Sequence, residues 1–269
     1  MPIHYELDDE HIVLITIDRP EVRNAADLEH FKLLRQAWDR FAADDDAWVA
    51  IVTGVDDAFF SGADLKTYVP AITALQQRMR EEGVDEIDGY QLSDGVKAVL
   101  RGSKIYKPII AAVNGPCTAG GMEMLGGVDI RVACPEATFA VMEPKRGLFA
   151  GGGTTVRLPR QIAFPHAMEL LLCADLISAE RALEMGLLNA VVPREELLDA
   201  AFAYARRITA NAPLAVQATK RSVMEGLALD LREAYRNESR ISAEIFATED
   251  AKEGPRAFAE KRPPVWQGR

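Results

Sequence analysis

The first regular pattern in the chain is His11-Ile12-Val13-Leu14-Ile15-Thr16-Ile17, a β-branched run closed by Asp18-Arg19-Pro20, which predicts a strand ending at a turn. Leu28, Phe31, Leu34, Trp38 and Phe41 then recur at intervals of three and four, the spacing of a helix with one apolar face. Asp27 stands where the N-cap of that helix belongs. Residues 49–53 form a second apolar strand, stopped by Gly54. Strand, helix, strand predicts the start of a right-handed βαβ series. Between residues 66 and 107 the pattern loses regularity and gathers the acids Glu81, Glu82, Asp85, Glu86 and Asp88, so this stretch is expected to be helical in part. Residues 108–113 are apolar throughout and read as a buried strand, with 129–133 as a fourth. After about residue 155 the strand signals fade, and helices are predicted at 170–172, 179–187, 195–210, 214–226 and 231–246. The expectation is an α/β core over residues 1–195 and a helical C-terminal region over 196–269.

Composition narrows the classes. Hydrophobic residues make up 48% and charged residues 27%, which fits a globular protein and argues against disorder. No apolar run approaches the ~20 residues of a membrane span. The opening Met1-Pro2-Ile3-His4 has neither a basic n-region nor an apolar h-region, so a cytoplasmic protein is expected. Cys117, Cys134 and Cys173 lie 17 and 39 residues apart, neither a disulfide framework nor a zinc spacing, and the 4 histidines are as scattered. No metal is expected. A formal charge of −10 disfavours nucleic acid as a partner, because phosphate backbones attract basic surfaces. It also means that any anionic ligand must be held by a local concentration of positive charge.

Two glycine-rich segments each follow a predicted strand: Phe59-Phe60-Ser61-Gly62-Ala63-Asp64-Leu65, and Val113-Asn114-Gly115-Pro116-Cys117-Thr118-Ala119-Gly120-Gly121-Met122-Glu123. Glycine permits tight turns and close backbone approach, which leaves N–H groups free to face a ligand atom. The N–H groups of Ala63 and Gly120 are the candidate pair for an oxyanion hole. Familiar motifs fit worse. Gly115 and Gly120 have P-loop spacing but are followed by Gly121-Met122 instead of Lys-Ser/Thr. Gly151-Gly152-Gly153 does not open a βαβ unit, and no Gly-x-Ser-x-Gly elbow occurs. Glu123 stands one helical turn beyond Gly120 among Met122, Met124 and Leu125, and Glu143 ends the apolar run Phe139-Ala140-Val141-Met142. Carboxylates in apolar company suit proton transfer.

Together, Asn24-Ala25-Ala26, Phe60-Ser61-Gly62-Ala63-Asp64-Leu65, Lys107 to Gly115, Ala119-Gly120-Gly121-Met122-Glu123 and Phe139-Ala140-Val141-Met142-Glu143 resemble the enoyl-CoA hydratase/isomerase (crotonase) family, in order and spacing, over essentially the whole chain. The resemblance implies an α/β spiral of ββα units with a helical C-terminal trimerisation region, and a hexamer made of two trimers. It implies an oxyanion hole at Ala63 and Gly120, and it makes Glu123 and Glu143 the pair that hydratases use to add water to a 2-enoyl-CoA. By the same analogy Glu143 is the main acid/base at the α-carbon and Glu123 activates the water. No cofactor is implied beyond the CoA of the substrate, an acyl thioester. That CoA is expected against Arg23, Ala25, Ser61, Asp64, Leu65 and Lys66, and against Phe258 and Lys261 of a neighbouring subunit. Residues 252–262 carry a net charge of +2 and supply the local positive patch.

The match has departures: Ala26 where the family has Leu, Ala119 opening the glycine triplet, and Ala150 where Pro is common. The last lies near the acyl pocket and bears on chain length. Two alternatives stay open: an isomerase of the same fold working through Glu143, and a non-catalytic member that binds CoA or RNA.

Overall fold

Ile3–Leu7 (β1) and Ile12–Ile17 (β2) pair as an antiparallel hairpin, then Leu28–Ala43 (α1) leads to Val49–Gly54 (β3). This computed structural model describes residues 2–269. Tyr68–Glu82 (α2), the small hairpin Glu86–Ile87 (β4) with Tyr90–Gln91 (β5), and Asp94–Ala98 (α3) fill the irregular stretch. Next come Ile109–Val113 (β6), Cys117–Thr118 (β7), Gly120–Leu125 (α4), Ile130–Ala133 (β8) and Thr138–Ala140 (β9). Thr154–Gln161 (α5), Phe164–Cys173 (α6), Ile177–Ser178 (β10), Ala179–Glu184 (α7) and Ala190–Val191 (β11) follow. Leu197–Thr209 (α8), Pro213–Gly226 (α9), Leu231–Phe246 (α10) and Glu249–Glu260 (α11) complete the chain.

The strands form two main sheets. One runs β1-β2-β3-β6-β8-β11 and the other β10-β9-β7. The chain enters the large sheet at β6, crosses to the small one at β7, runs through α4, and repeats the passage at β8 and β9. That winding is the ββα spiral the sequence resemblance implies. In the large sheet β2, β3, β6, β8 and β11 are mutually parallel, and β3 and β6 are buried at every position. Continuous apolar runs are what a parallel strand covered on both faces requires.

The buried polar residues of the motifs hold turns. Asn24 accepts from the Arg19 N–H and donates to the carbonyls of Val55 and Ala58. Asn114 receives the Gly54 N–H and donates back to Gly54 O, tying the end of β6 to the end of β3. Lys107 Nζ donates to Phe41 O and Asp44 O, capping the C-terminus of α1. At the other end of α1, Asp27 accepts from the His30 N–H, as its position predicts.

Several expectations shift. β1 goes beyond the pattern read from the sequence: its outer half is exposed, and it exists through its register with β2, Ile3 opposite Ile17. The short helix expected at 170–172 is α6, ten residues long. α11 forms despite Gly254 and Pro255, both breaker signals. Its Thr248 N-cap accepts from Ala251 N–H, and the chain end folds back so that Gln267 and Gly268 donate their N–H groups to Asp250. α8 lies against β3 and β6 and buries Leu197, Ala201 and Ala205, so it belongs to the core.

Candidate active site

The two glycine-rich segments lie side by side. Phe59 and Phe60 both donate N–H to Pro116 O, and Thr118 N–H donates to Phe60 O. There is no room for side chains between them. A Cβ on Gly62 would lie 2.6 Å from Gly120 N, one on Gly120 would lie 2.8 Å from Gly62 Cα, and one on Gly121 would lie 2.1 Å from Phe60 O. Gly62 also takes φ +87°, which L side chains rarely adopt.

This packing leaves two N–H donors without backbone acceptors beside one cavity. Ala63 forms a parallel bridge with Ala26, in which Gly62 O accepts from Ala26 N–H and Asp64 N–H donates to Ala26 O. In such a pairing the bridged residue's own N–H points away from the partner strand, so that of Ala63 turns outward. Gly120 begins α4 and has no intrahelical acceptor. Among the described residues neither N–H has a backbone acceptor, and both residues line one cavity of about 440 Å³.

Ala119 sets up the second donor at φ 50°, ψ −114°, a conformation glycine adopts without strain. It is held there by Ala119 N–H donating to Ala140 O at 3.0 Å. Ala119→Gly is therefore expected to stabilise the fold by about 1 kcal/mol. A thermal midpoint that fails to rise would show that the neighbourhood accommodates the alanine without cost.

Both glutamates reach the same cavity but meet different surroundings. Glu123 does not sit in the apolar company its sequence neighbours suggest. Its Oε1 accepts from Gly152 N–H at 2.8 Å and its Oε2 from Thr154 N–H at 2.7 Å, at the start of α5. Gly152 is needed for that approach, because a Cβ there would stand 2.8 Å from the Glu123 carboxyl carbon. Glu143 opens a 3-10 turn, Glu143–Arg146, closed by Gly147 at φ 67°. Its Oε2 is buried with no hydrogen-bond partner. Burial pushes the Glu143 pKa up, and the negative charge of Glu123 adds to that, against its own backbone N–H. Cys117, in β7 opposite Phe139, is fully buried with its thiol pushed up by burial, which fits a packing role.

Ser61 and Leu65 line the cavity as well. Arg23, Ala25, Asp64, Lys66, Phe258 and Lys261 do not. Ala25 O accepts from Arg19 Nη1, and Arg19 also lies 3.2 Å from Asp64 and 3.5 Å from Asp27. Burial acts to raise the pKa of Asp64, but hydrogen bonds from Thr67 and Lys66 N–H and the charge of Arg19 outweigh it and hold the carboxyl below its ordinary value. Asp64 thus braces the loop that presents Ala63. Arg23 and Lys66 are exposed and without a carboxylate partner among the described residues.

The positive patch expected at 252–262 is largely neutralised. Arg256 and Arg262 both bind Glu253 at 2.5 Å, Arg262 binds Glu260, and Lys252 binds Glu249. The fold-back of the chain end brings Arg262 to Glu253, so the net charge of the segment overstates what it offers a ligand. Lys261 remains without a carboxylate partner among the described residues, beside the exposed Phe258.

Sequence reasoning missed Arg157 of α5, which donates to the carbonyls of Val99, Leu100 and Glu123 and so links α4 to the cavity wall. It also missed the Gly152 and Thr154 donors. The glycine triplet was the available signal for these.

Known proteins share this fold. The family model described as enoyl-CoA hydratase/isomerase matches residues 8–269. The chain belongs to the enoyl-CoA hydratase/isomerase family. It is 43% identical to the enoyl-CoA hydratase EchA19 of Mycobacterium tuberculosis, covering 96% of this chain and 94% of that protein. It is 35% identical to the (E)-benzylidenesuccinyl-CoA hydratase of Thauera aromatica over 100% of both chains. The crystal structure of enoyl-CoA hydratase EchA1 from Mycobacterium marinum superposes with a TM-score of 0.85 at 40% identity, covering 100% of this chain and 99% of that one. The two-sheet spiral is thus the crotonase fold of this family. Among the described residues no helix is long and apolar enough to cross a membrane, and no group of acids, histidines and cysteines has the makings of a metal site.

Proposed function

We propose that the chain hydrates a 2-enoyl-CoA to the 3-hydroxyacyl-CoA. The observation that carries this reading is the convergence of Glu123, Glu143, Ala63 and Gly120 on one cavity. The thioester oxygen accepts from the Ala63 and Gly120 N–H groups, which favour the enolate more than the starting carbonyl. Each Glu123 oxygen already accepts one backbone N–H and keeps a lone pair for the attacking water. Glu123 takes a proton from that water as the water oxygen bonds to the β-carbon and the double-bond electrons pass into the thioester enolate. Glu143, whose raised pKa favours the protonated form, delivers a proton to the α-carbon. Acid–base chemistry on an enolate calls for no further cofactor.

Loss of the conjugated thioester absorbance of a 2-enoyl-CoA, with 3-hydroxyacyl-CoA as product, is the expected result. Conversion of a 3-enoyl-CoA into the conjugated isomer, without hydration of either, would make the chain an isomerase instead.

The CoA moiety is assigned to Arg23, Ala25, Ser61, Leu65 and Lys66, with Asp64 holding their loop and the free cations meeting phosphates. Phe258, 87% exposed, and Lys261 suit a CoA bound by a neighbouring subunit. The exposed apolar residues Val223, Met224, Leu227, Leu231, Tyr235 and Phe246 on and between α9 and α10 support a homo-oligomer, for which the family expectation is a hexamer of two trimers. Its solution mass would be a multiple of 29.6 kDa. Three free cysteines suit a reducing compartment, consistent with the cytoplasm.

A further inference from the structure

The cavity holds one cation that proton transfer does not use. Arg146 lines it, yet has no carboxylate partner and no hydrogen-bond acceptor among the described residues. Lys145, one residue earlier, binds Asp175 at 2.5 Å. The other guanidinium close to the glutamates, Arg157, is committed to three carbonyls. Among the described residues lining this space, Arg146, itself exposed, is the one cation left free for a ligand.

Its position relative to the chemistry follows from the local backbone. Glu143–Arg146 is a single 3-10 turn, in which residues three apart eclipse and so share a face, separated by about 6 Å along the axis. The two side chains nevertheless do not pair. The guanidinium therefore stands off from the reacting end. Beside it the wall is apolar: Leu148 is 49% and Phe149 78% exposed, and both border the cavity.

We infer that the site takes an enoyl-CoA whose acyl chain ends in a carboxylate a few carbons beyond the double bond, with Arg146 as the residue that selects it. This rests on the hydratase reading above. A substrate carboxylate entering a cavity that already holds two glutamates is repelled unless a cation receives it. Arg146 supplies a planar fork that binds carboxylate in a bidentate manner. Leu148 and Phe149 cover the methylenes between the reacting carbons and the charged end. A plain hydrocarbon chain would make the apolar contacts and leave the guanidinium to water.

The test compares two thioesters with the same CoA and the same chain: the 2-hexenedioic acid mono-CoA thioester, and its ω-methyl ester. Because the CoA is common, contacts to it cancel in the ratio of kcat/KM for hydration. The native enzyme should favour the free carboxylate by ~10- to 100-fold. Arg146→Gln should bring the ratio close to one, and Arg146→Lys should keep part of it. A native ratio near one, or a ratio that Arg146→Gln does not move, overturns the inference. So does a fall of both rates by the same factor, which would assign Arg146 to CoA or to folding. Hydration of crotonyl-CoA is the control: if it proceeds while the ratio is one, only the acyl assignment fails, and if no thioester is hydrated the hydratase reading fails with it.

Discussion

Glu143→Gln is expected to lower the turnover of hydration by ~10²-fold or more while making the protein more stable at neutral pH. The two effects share a cause. Glu143 is kept in a place where its charge is poorly solvated, with Oε2 buried and unpartnered and Glu123 across the cavity. Its pKa in the folded state is raised above the unfolded value, so the native state binds that proton more tightly. Native stability is then lost as pH rises from the unfolded value, about 4.3, through the raised folded one. A neutral glutamine has no such loss. The gain in thermal midpoint should be absent in acid, open across that window and be complete above it. Glu123→Gln should cost a similar factor in turnover with the opposite effect on stability. Both Glu123 oxygens accept backbone N–H groups, and the amide of glutamine would set an N–H against Gly152 N or Thr154 N. Near-normal turnover in either variant would remove that residue from the mechanism. Equal stability changes in the two would sink the claim that their environments differ.

That difference marks where sequence reading stops. The residue types were legible because few others satisfy the geometry. Gly62 and Gly120 leave no space for a Cβ, and Asn24 and Asn114 each answer both donors and acceptors at buried turns. Central strands announced themselves by continuous apolar runs, and the α1 face by its period. The environment of Glu123 was not legible, since its partners are main-chain N–H groups about thirty residues further on, and such donors carry no signature of their own. Ion pairing within 252–262 was hidden for a related reason. Glu253 draws in Arg262 and the Val265 N–H only once the chain end folds back. What spacing gives is which residues share a local face. What it omits is which distant backbone arrives beside them.

Gly62→Ala is expected to lower turnover by ~10²–10³-fold, the range for loss of one oxyanion donor. The added methyl would start 2.6 Å from Gly120 N, so the two glycine segments must part, and the Ala63 and Gly120 N–H groups can no longer meet one oxygen. Some stability must also be lost, because alanine at φ +87° is strained regardless of space. Gly83→Ala separates these contributions. Gly83 sits at φ +66° at the end of α2 with nothing within 4 Å of its would-be Cβ, so it carries backbone strain without a collision and away from the cavity. Both variants should lower the thermal midpoint, while only Gly62→Ala should collapse kcat at temperatures where each is folded. A further distinction lies in which kinetic constant moves. Donors that act on the enolate more than on the ground-state carbonyl show their loss in kcat, with a smaller change in KM. If Gly62→Ala raised KM and left kcat intact, the close approach of the two segments would serve substrate binding, and the enolate would have to be stabilised by other groups.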